Sequence, residues 1–526
     1  MESNFRRLSE NSGIFSETDT EIILSGEFSK IEEVVSVESL SEMSLLSQVS
    51  SGTSGGFAIN EDENINYMKN NPNLNLTGRN VIIAIADTGI DYLHPDFINA
   101  DGTSKILYLW DQTKEGNSPE GFYFGTEYTR DDINRAISEN DSTLSTDEVG
   151  SGTLLSGICA GLGVSNSLYE GVAKDSELIV IKLGTIDGKY NNAYYYVARD
   201  YARKKARELE RPLIINTSVG TNSDVGFINR ATQSTIWYQY GECEIAGIGN
   251  EGNTQTHASG KISSSGETQT VEIEIEEEEE FLKIELWICR PDRVNIKIIS
   301  PTGEESKDVG LGYYKKESGI FNFENTTYAV FYVFPTSYSG QEFITINLYN
   351  ASPGVWKINL TGVYINSGCY NVYLPNRSLI NQNTRFLEPD PFYTVNFPTV
   401  DRNIFTVGAY DMINNSMWPP SSRGPNIRNI QKPNIVAPGV NIISAYPHNR
   451  YGNITGTSAA AAVTSGVAAL FLQYVTQNNQ YKRQGFTQSI YSFFQLGADR
   501  EDNIQYPNFI YGYGLLNARK IFEEFR

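Results

Sequence analysis

Two residues of this chain have the types and settings for acyl-transfer chemistry. One is Ser458, which opens the small-residue run Gly456-Thr457-Ser458-Ala459-Ala460; the other is Asp87, which closes the apolar run Ala84-Ile85-Ala86-Asp87. A serine hydroxyl is a weak nucleophile until a general base takes its proton, and an acid must orient that base. Ser458 at the start of a helix would gain from the positive end of the helix dipole. Asn250, inside Gly247-Ile248-Gly249-Asn250-Glu251-Gly252-Asn253, can donate its side-chain amide to a developing oxyanion, a role worth roughly 3–4 kcal/mol. The extended segment Ser218-Val219-Gly220 can pair with a peptide strand through backbone hydrogen bonds. The base is harder to find. The chain has 3 histidines: His94 in the loop after Asp87, His257 just beyond the Asn250 segment, and His448 in a loop ahead of Ser458.

The elements that must carry these groups can be read from the hydrophobic pattern. Val81 to Ala86 is continuously apolar between Gly78 and Gly89, as expected of a strand buried on both faces. Leu178 to Leu183 and Leu213 to Asn216 repeat the pattern, with a tyrosine-rich helical stretch, Asn192 to Leu209, between them. Strand–helix–strand alternation predicts an α/β fold with a mostly parallel sheet and helices on both faces. From about residue 265 the style changes to short alternating strands without helices, such as Thr268-Val271-Ile273-Ile275, Phe281-Ile284-Leu286-Ile288 and Cys369 to Leu374. These predict an antiparallel β-sandwich that interrupts the α/β fold. After about residue 390 the buried-strand style returns, followed by the Ser458 helix and a last helix near Leu515 to Phe525. The expected division is 1–60, 61–264, 265–390 and 391–526, the first segment ending in the linker-like Ser50-Ser51-Gly52-Thr53-Ser54-Gly55-Gly56.

Composition narrows the function classes. With 63 acidic and 41 basic residues the net charge is -22, which argues against nucleic acid as a partner. The acidic run Glu276 to Glu280 reads as a solvated strand edge or turn. No cofactor is predicted, although the acidic composition leaves calcium open. The 4 cysteines, Cys159, Cys243, Cys289 and Cys369, form no CxxC pair, and neither a zinc site nor a disulfide scaffold is expected. Cys159 reads as a buried small residue. No signal peptide and no membrane span are expected; the apolar run Ala459 to Leu472 contains Thr464 and Ser465 and reads as a buried helix.

Taken together and in order, these segments resemble the subtilisin-like serine proteases (peptidase family S8). Ala86-Asp87-Thr88-Gly89-Ile90-Asp91 with His94-Pro95-Asp96-Phe97 resembles the catalytic-aspartate segment, Gly247 to Asn253 the oxyanion-hole segment, and Gly456-Thr457-Ser458 the nucleophile segment. Ser421-Ser422-Arg423-Gly424-Pro425 and Lys432-Pro433-Asn434-Ile435-Val436-Ala437-Pro438-Gly439 add further punctuation of the same kind. The family's histidine segment reads His-Gly-Thr-His; the matching residues are Ser151, Gly152, Thr153 and Leu154, so both histidines are lost. Serine has no basic lone pair that titrates near neutrality and cannot replace imidazole. The resemblance implies vestigial catalytic positions at Asp87, Ser151 and Ser458, with Asn250 at the oxyanion hole and Ser218, Val219 and Gly220 along the substrate cleft.

The β-sandwich inserted between Asn250 and Ser458, with Ile106 to Thr113 and Phe124 to Thr129, resembles the Csp germination proteases of clostridial spores, whose inserted domain is a jelly roll. That group includes proteases that activate a cortex-lytic zymogen and pseudoproteases that act in germinant or cofactor sensing. The lost histidine implies the second kind, in the cortex or coat region of a bacterial spore. Its implied partners are a sister protease, the zymogen or a small-molecule germinant. Residues 1–60 would be the prodomain, retained because Ser458 cannot cut it; cleavage by an active member would fall near residue 60. Two other readings stay open at this point: a weakly active endopeptidase that processes a germination zymogen, and a binding protein acting through the sandwich.

Overall fold

The structure, a computed structural model, describes residues 13–17, 22–25, 41–72, 74–223, 225–226, 239–310, 314–336 and 339–525. The expected prodomain-like segment 1–60 is therefore described only in part, and the rest of it lies outside the described residues.

A 9-stranded sheet forms the centre. Its parallel strands run in the spatial order Phe405–Asp411, Glu242–Gly247, Leu213–Thr217, Ile82–Asp87, Glu177–Lys182 and Ile106–Asp111, with Ile435–Pro438 also parallel beside Phe405–Asp411 and antiparallel edges at Ser416–Met417 and Thr126–Thr129. Strand Ile82–Asp87 lies in the middle and is buried along its whole length. Its alternate residues explain the continuous apolar run. Ile83 and Ile85 enter a core with Leu154, Leu155, Ile158 and the helix Thr457–Gln477, whereas Ile82, Ala84 and Ala86 enter a second core with Tyr195, Val197 and Tyr201 of the helix Asn192–Glu208. With helices on both faces, no strand position faces water, so alternation disappears.

Helix Thr457–Gln477 runs 21 residues, longer than the apolar run read from the sequence, and by length and composition it could span a bilayer. In this fold its most apolar stretch is 89% buried, against strand Glu242–Gly247 and the helix Ser151–Ala160. Its small residues Ala459 to Ala462 allow that close approach.

The inserted unit consists of a 6-stranded and a 4-stranded antiparallel sheet with its own core around Trp356, Phe321 and Leu286. It adds the strand Tyr314–Phe321, which the alternation pattern does not reveal. The strand Glu279–Ile288 is two-sided: Leu282, Ile284, Leu286 and Ile288 face the sandwich core, while Trp287 joins the core of the α/β domain beside Phe343, ring centroids 4.3 Å apart. The sandwich is thus packed onto the α/β domain rather than tethered to it. The acidic run is turn-like and exposed at Glu276 to Glu278 as expected, but Glu279 is buried and accepts hydrogen bonds from Asn381 N (2.9 Å) and Thr384 Oγ1 (2.5 Å).

One expectation is corrected. Cys289 and Cys369 form a disulfide, with Cα atoms 5.5 Å apart across 80 residues of chain. Strands Glu279–Ile288 and Cys369–Tyr373 are antiparallel neighbours, and a cross-strand pairing of this kind leaves no trace in local cysteine spacing. Cys159 is buried as expected.

Candidate active site

Asp87 ends the central strand with no exposed surface. Its carboxylate accepts from Thr88 N at 2.7 Å and from the Ser218 hydroxyl, which also lies 3.0 Å from Ala86 O. Burial pushes its pKa from the ordinary 3.8 up to about 6, against the pull of the Ser218 hydroxyl and the Thr88 amide; Asp147 raises it further, and the Ser151 hydroxyl draws it down. Ser218, expected along the substrate cleft, turns its side chain to Asp87, and its carbonyl accepts from Leu46 N at 2.8 Å.

Ser151 opens the helix Ser151–Ala160 and is fully buried. Asp147 fixes this helix start, a role the sequence does not suggest. Its Oδ1 accepts from Thr88 Oγ1 (2.6 Å) and Gly150 N (2.7 Å), and its Oδ2 from Thr153 N (2.8 Å) and Thr153 Oγ1 (2.7 Å). Gly150 enters the helix at φ 88, where a Cβ would strike the Tyr446 ring. The helix start at Ser151 is therefore held from several sides, and the residue there carries a hydroxyl.

Asn250 is pinned through its amide oxygen, which accepts from Thr457 N (3.1 Å) and Thr457 Oγ1 (2.9 Å). Its NH2 stays free of these bonds, as an oxyanion donor requires. Ser422 supports the same loop, accepting from Glu251 N at 3.0 Å and donating its own N–H to Gly249 O at 2.9 Å.

The cleft is filled by the chain itself. Strand Glu42–Leu45 pairs antiparallel with Val219–Gly220 on one side and with Lys189–Asn191 on the other. Leu46 N donates to Ser218 O at 2.8 Å, and the Leu46 carbonyl then accepts from Ser458 N (3.2 Å) and Ser458 Oγ (2.7 Å). Past it the chain continues as strand Gln48–Ser50 against Arg450–Thr455. Ser50, assigned by composition to a linker, is thus part of a strand. The Leu46 side chain is buried over Gly220, where an added Cβ would stand 3.2 Å from Leu46 Cδ1, and a Cβ on Gly456 would collide with the Leu46 carbonyl. The peptide bond presented to Ser458 is therefore Leu46–Ser47, well before residue 60.

None of the 3 histidines stands beside Ser458. His94 Nε2 contacts Arg450 O at 2.9 Å while its Nδ1 accepts from Asp96 N at 3.2 Å. His257 lies in the sandwich's first strand, His257–Lys261, with Nδ1 at Asp390 O and Nε2 at Asn371 Oδ1, both 3.0 Å. His448 sits in the exposed hairpin turn after Ile442–Tyr446, tied by its backbone to Asp91 Oδ2 at 2.7 Å. None shares a hydrogen-bond partner with Ser458, Ser151 or Asp87. Among the described residues no three carboxylate, imidazole or thiol side chains converge as a metal set would.

A buried strand-end aspartate, a helix-start serine and a pinned asparagine on one doubly wound sheet define a serine-protease fold of the subtilisin type. The chain belongs to the subtilase family, whose profile matches residues 78–276 and 376–514 and leaves out most of the sandwich. A solved structure, the CspB protease of Clostridium perfringens, superposes with a TM-score of 0.79 at 26% identity, covering 88% of this chain and 98% of that one. Among curated relatives, serine protease AprX of Bacillus subtilis is 34% identical over 145 residues, covering 24% of this chain and 31% of AprX. A subtilisin of Bacillus sp. (strain TA39) is 30% identical over 194 residues, 36% of this chain and 39% of the relative. The chain thus spans about a third of the length of these curated relatives.

Proposed function

We propose that this chain is a pseudoprotease of the Csp type, which keeps its own N-terminal segment in the cleft and acts in spore germination signalling. The observation that carries the reading is Ser151, a hydroxyl where the resemblance puts the base, hydrogen-bonded to Ser47 of the segment that crosses Ser458. Without a base, the loss in turnover in subtilisin is on the order of 10⁶-fold, or roughly 8 kcal/mol of barrier. Ser458 Oγ donates its proton to the Leu46 carbonyl and has no acceptor of higher basicity. The structural likeness to the CspB protease supports a place in the bacterial spore, with a sister protease, a cortex-lytic zymogen or a small-molecule germinant as partner. The inserted sandwich, a jelly roll in this reading, is packed through Trp287 onto the α/β domain, so a signal received by either unit can reach the other.

A fluorophosphonate probe tests the loss of chemistry separately from binding. Its capture needs an activated serine hydroxyl, so Ser458 should stay unlabelled in the parent chain under conditions that label an active subtilisin. Labelling that disappears in Ser458→Ala would refute the reading and favour a weakly active endopeptidase.

A further inference from the structure

We propose that Ser151 forms a clasp for the Ser47 hydroxyl, so that Ser151 adds to the hold of the cleft on the N-terminal segment. The proposal rests on the pseudoprotease reading in one respect: the Leu46–Ser47 bond must stay intact.

The segment is held by two different sheets. Glu42–Leu45 lies between Val219–Gly220 and Lys189–Asn191, and Gln48–Ser50 lies on Arg450–Thr455. Leu46 and Ser47 form the span between them, passing directly over Ser458. Leu46 is held through its backbone and its buried side chain. Ser47 is half-buried, and its side chain makes one hydrogen bond, Oγ to Oγ of Ser151, at 2.9 Å. The buried Asp87 carboxylate has its own partners in the Ser218 hydroxyl and the Thr88 amide, and the side-chain hydrogen bond of Ser151 goes to Ser47.

Base and clasp exclude each other. A side chain at residue 151 carries either an imidazole or a hydroxyl, and only the hydroxyl makes the present bond to Ser47. The same position can therefore either activate Ser458 or hold Ser47. Asp147, Thr88 and Thr153 fix the backbone of residue 151, which makes the serine a pre-placed partner for an incoming hydroxyl. The exchange of histidine for serine thus turns a cutting position into a holding one.

The test is hydrogen–deuterium exchange of the backbone of residues 42–50 in the full chain, for the parent, Ser47→Ala, Ser151→Ala and the double variant. One lost partly buried hydrogen bond should speed exchange about three- to tenfold in either single variant. The double variant should be no faster than the faster single one, because the two substitutions remove the same bond. Ser151→Thr, which keeps the hydroxyl, should stay near the parent. Exchange in the helix Thr457–Gln477 serves as the folding control, and Ser47→Ala alone, with its half-buried side chain, decides the matter if Ser151→Ala fails to fold. Unchanged exchange in Ser47→Ala, or effects that multiply in the double variant, would overturn the clasp. The intact mass of each variant is read in parallel. A cut chain would refute the pseudoprotease reading, whereas an uncut chain with unchanged exchange would refute only the clasp.

Discussion

Asp87→Asn should stabilise this protein above pH 6 and leave its stability near pH 4 almost unchanged. Asp87 is fully buried with a pKa of about 6 against an ordinary 3.8, and the groups acting on it are two hydroxyls, an amide and another carboxylate. The sign follows from linkage. Between pH 3.8 and about 6 the folded chain binds a proton that the unfolded chain has lost, so stability falls as pH rises through that window. Above it the full penalty of a buried charge is present, about 3 kcal/mol for a shift of this size. Asparagine carries no charge and can keep the local bonds. Its oxygen accepts from Thr88 N, and its NH2 donates to Ser218 Oγ, whose own proton turns to Ala86 O, 3.0 Å away. Calorimetry at pH 8 should show the variant more stable by about 2–3 kcal/mol, converging with the parent near pH 4. In a working triad this carboxylate orients a histidine and stabilises its imidazolium; with no histidine beside it the charge brings no such return. A variant less stable than the parent at pH 8 would mean that the Asp87 charge has a cationic or ligand partner.

Met43→Asp should free the N-terminal segment. Met43 is 1% exposed and belongs to the core beneath the helix Asn192–Glu208, with Val219, Tyr195 and Leu183. An aspartate there loses the apolar contacts and buries a carboxylate without a partner; together these cost at least about 3 kcal/mol. Because the core on the other face of the sheet, which contains the helix Thr457–Gln477, does not include Met43, the segment should leave the cleft while the domain stays folded. Limited thermolysin digestion should cut within residues 42–50 on the order of 100-fold faster than in the parent, since such cutting follows the open population. Met43→Leu, which conserves volume, should stay close to the parent. Equal resistance of Met43→Asp and the parent would show that the strand pairings alone hold the segment.

The parts of the site that lie within one short stretch were legible in the sequence. Asp87 stands at the end of a run buried on both faces, Ser458 in a small-residue helix start, and Asn250 in a glycine-framed loop; each carries its own local signal. The stretch around Ser151 was legible because Gly150, Gly152 and Thr153 form the helix start that Asp147 and Thr88 hold. What the sequence did not show depends on register between distant segments. Leu46 and Ser47 reach Ser458 and Ser151 across more than 100 residues, and no local pattern marks them as the cleft's occupant. The Cys289–Cys369 bond follows from the pairing of two strands in the sandwich. Trp287 read as one more strand residue, yet it points out of its own sheet's core into the neighbouring domain. The turn of the Ser218 hydroxyl toward Asp87 was likewise hidden, because it joins two segments that only the fold brings together.

The most direct test of the pseudoprotease reading is the intact mass of the purified full-length chain, measured beside Ser458→Ala. The reading predicts an uncut 58.7 kDa chain in both, with the Leu46–Ser47 bond whole after prolonged incubation. Cutting between Leu46 and Ser47 in the parent but not in Ser458→Ala would contradict it, since some group other than a histidine would then be taking the Ser458 proton.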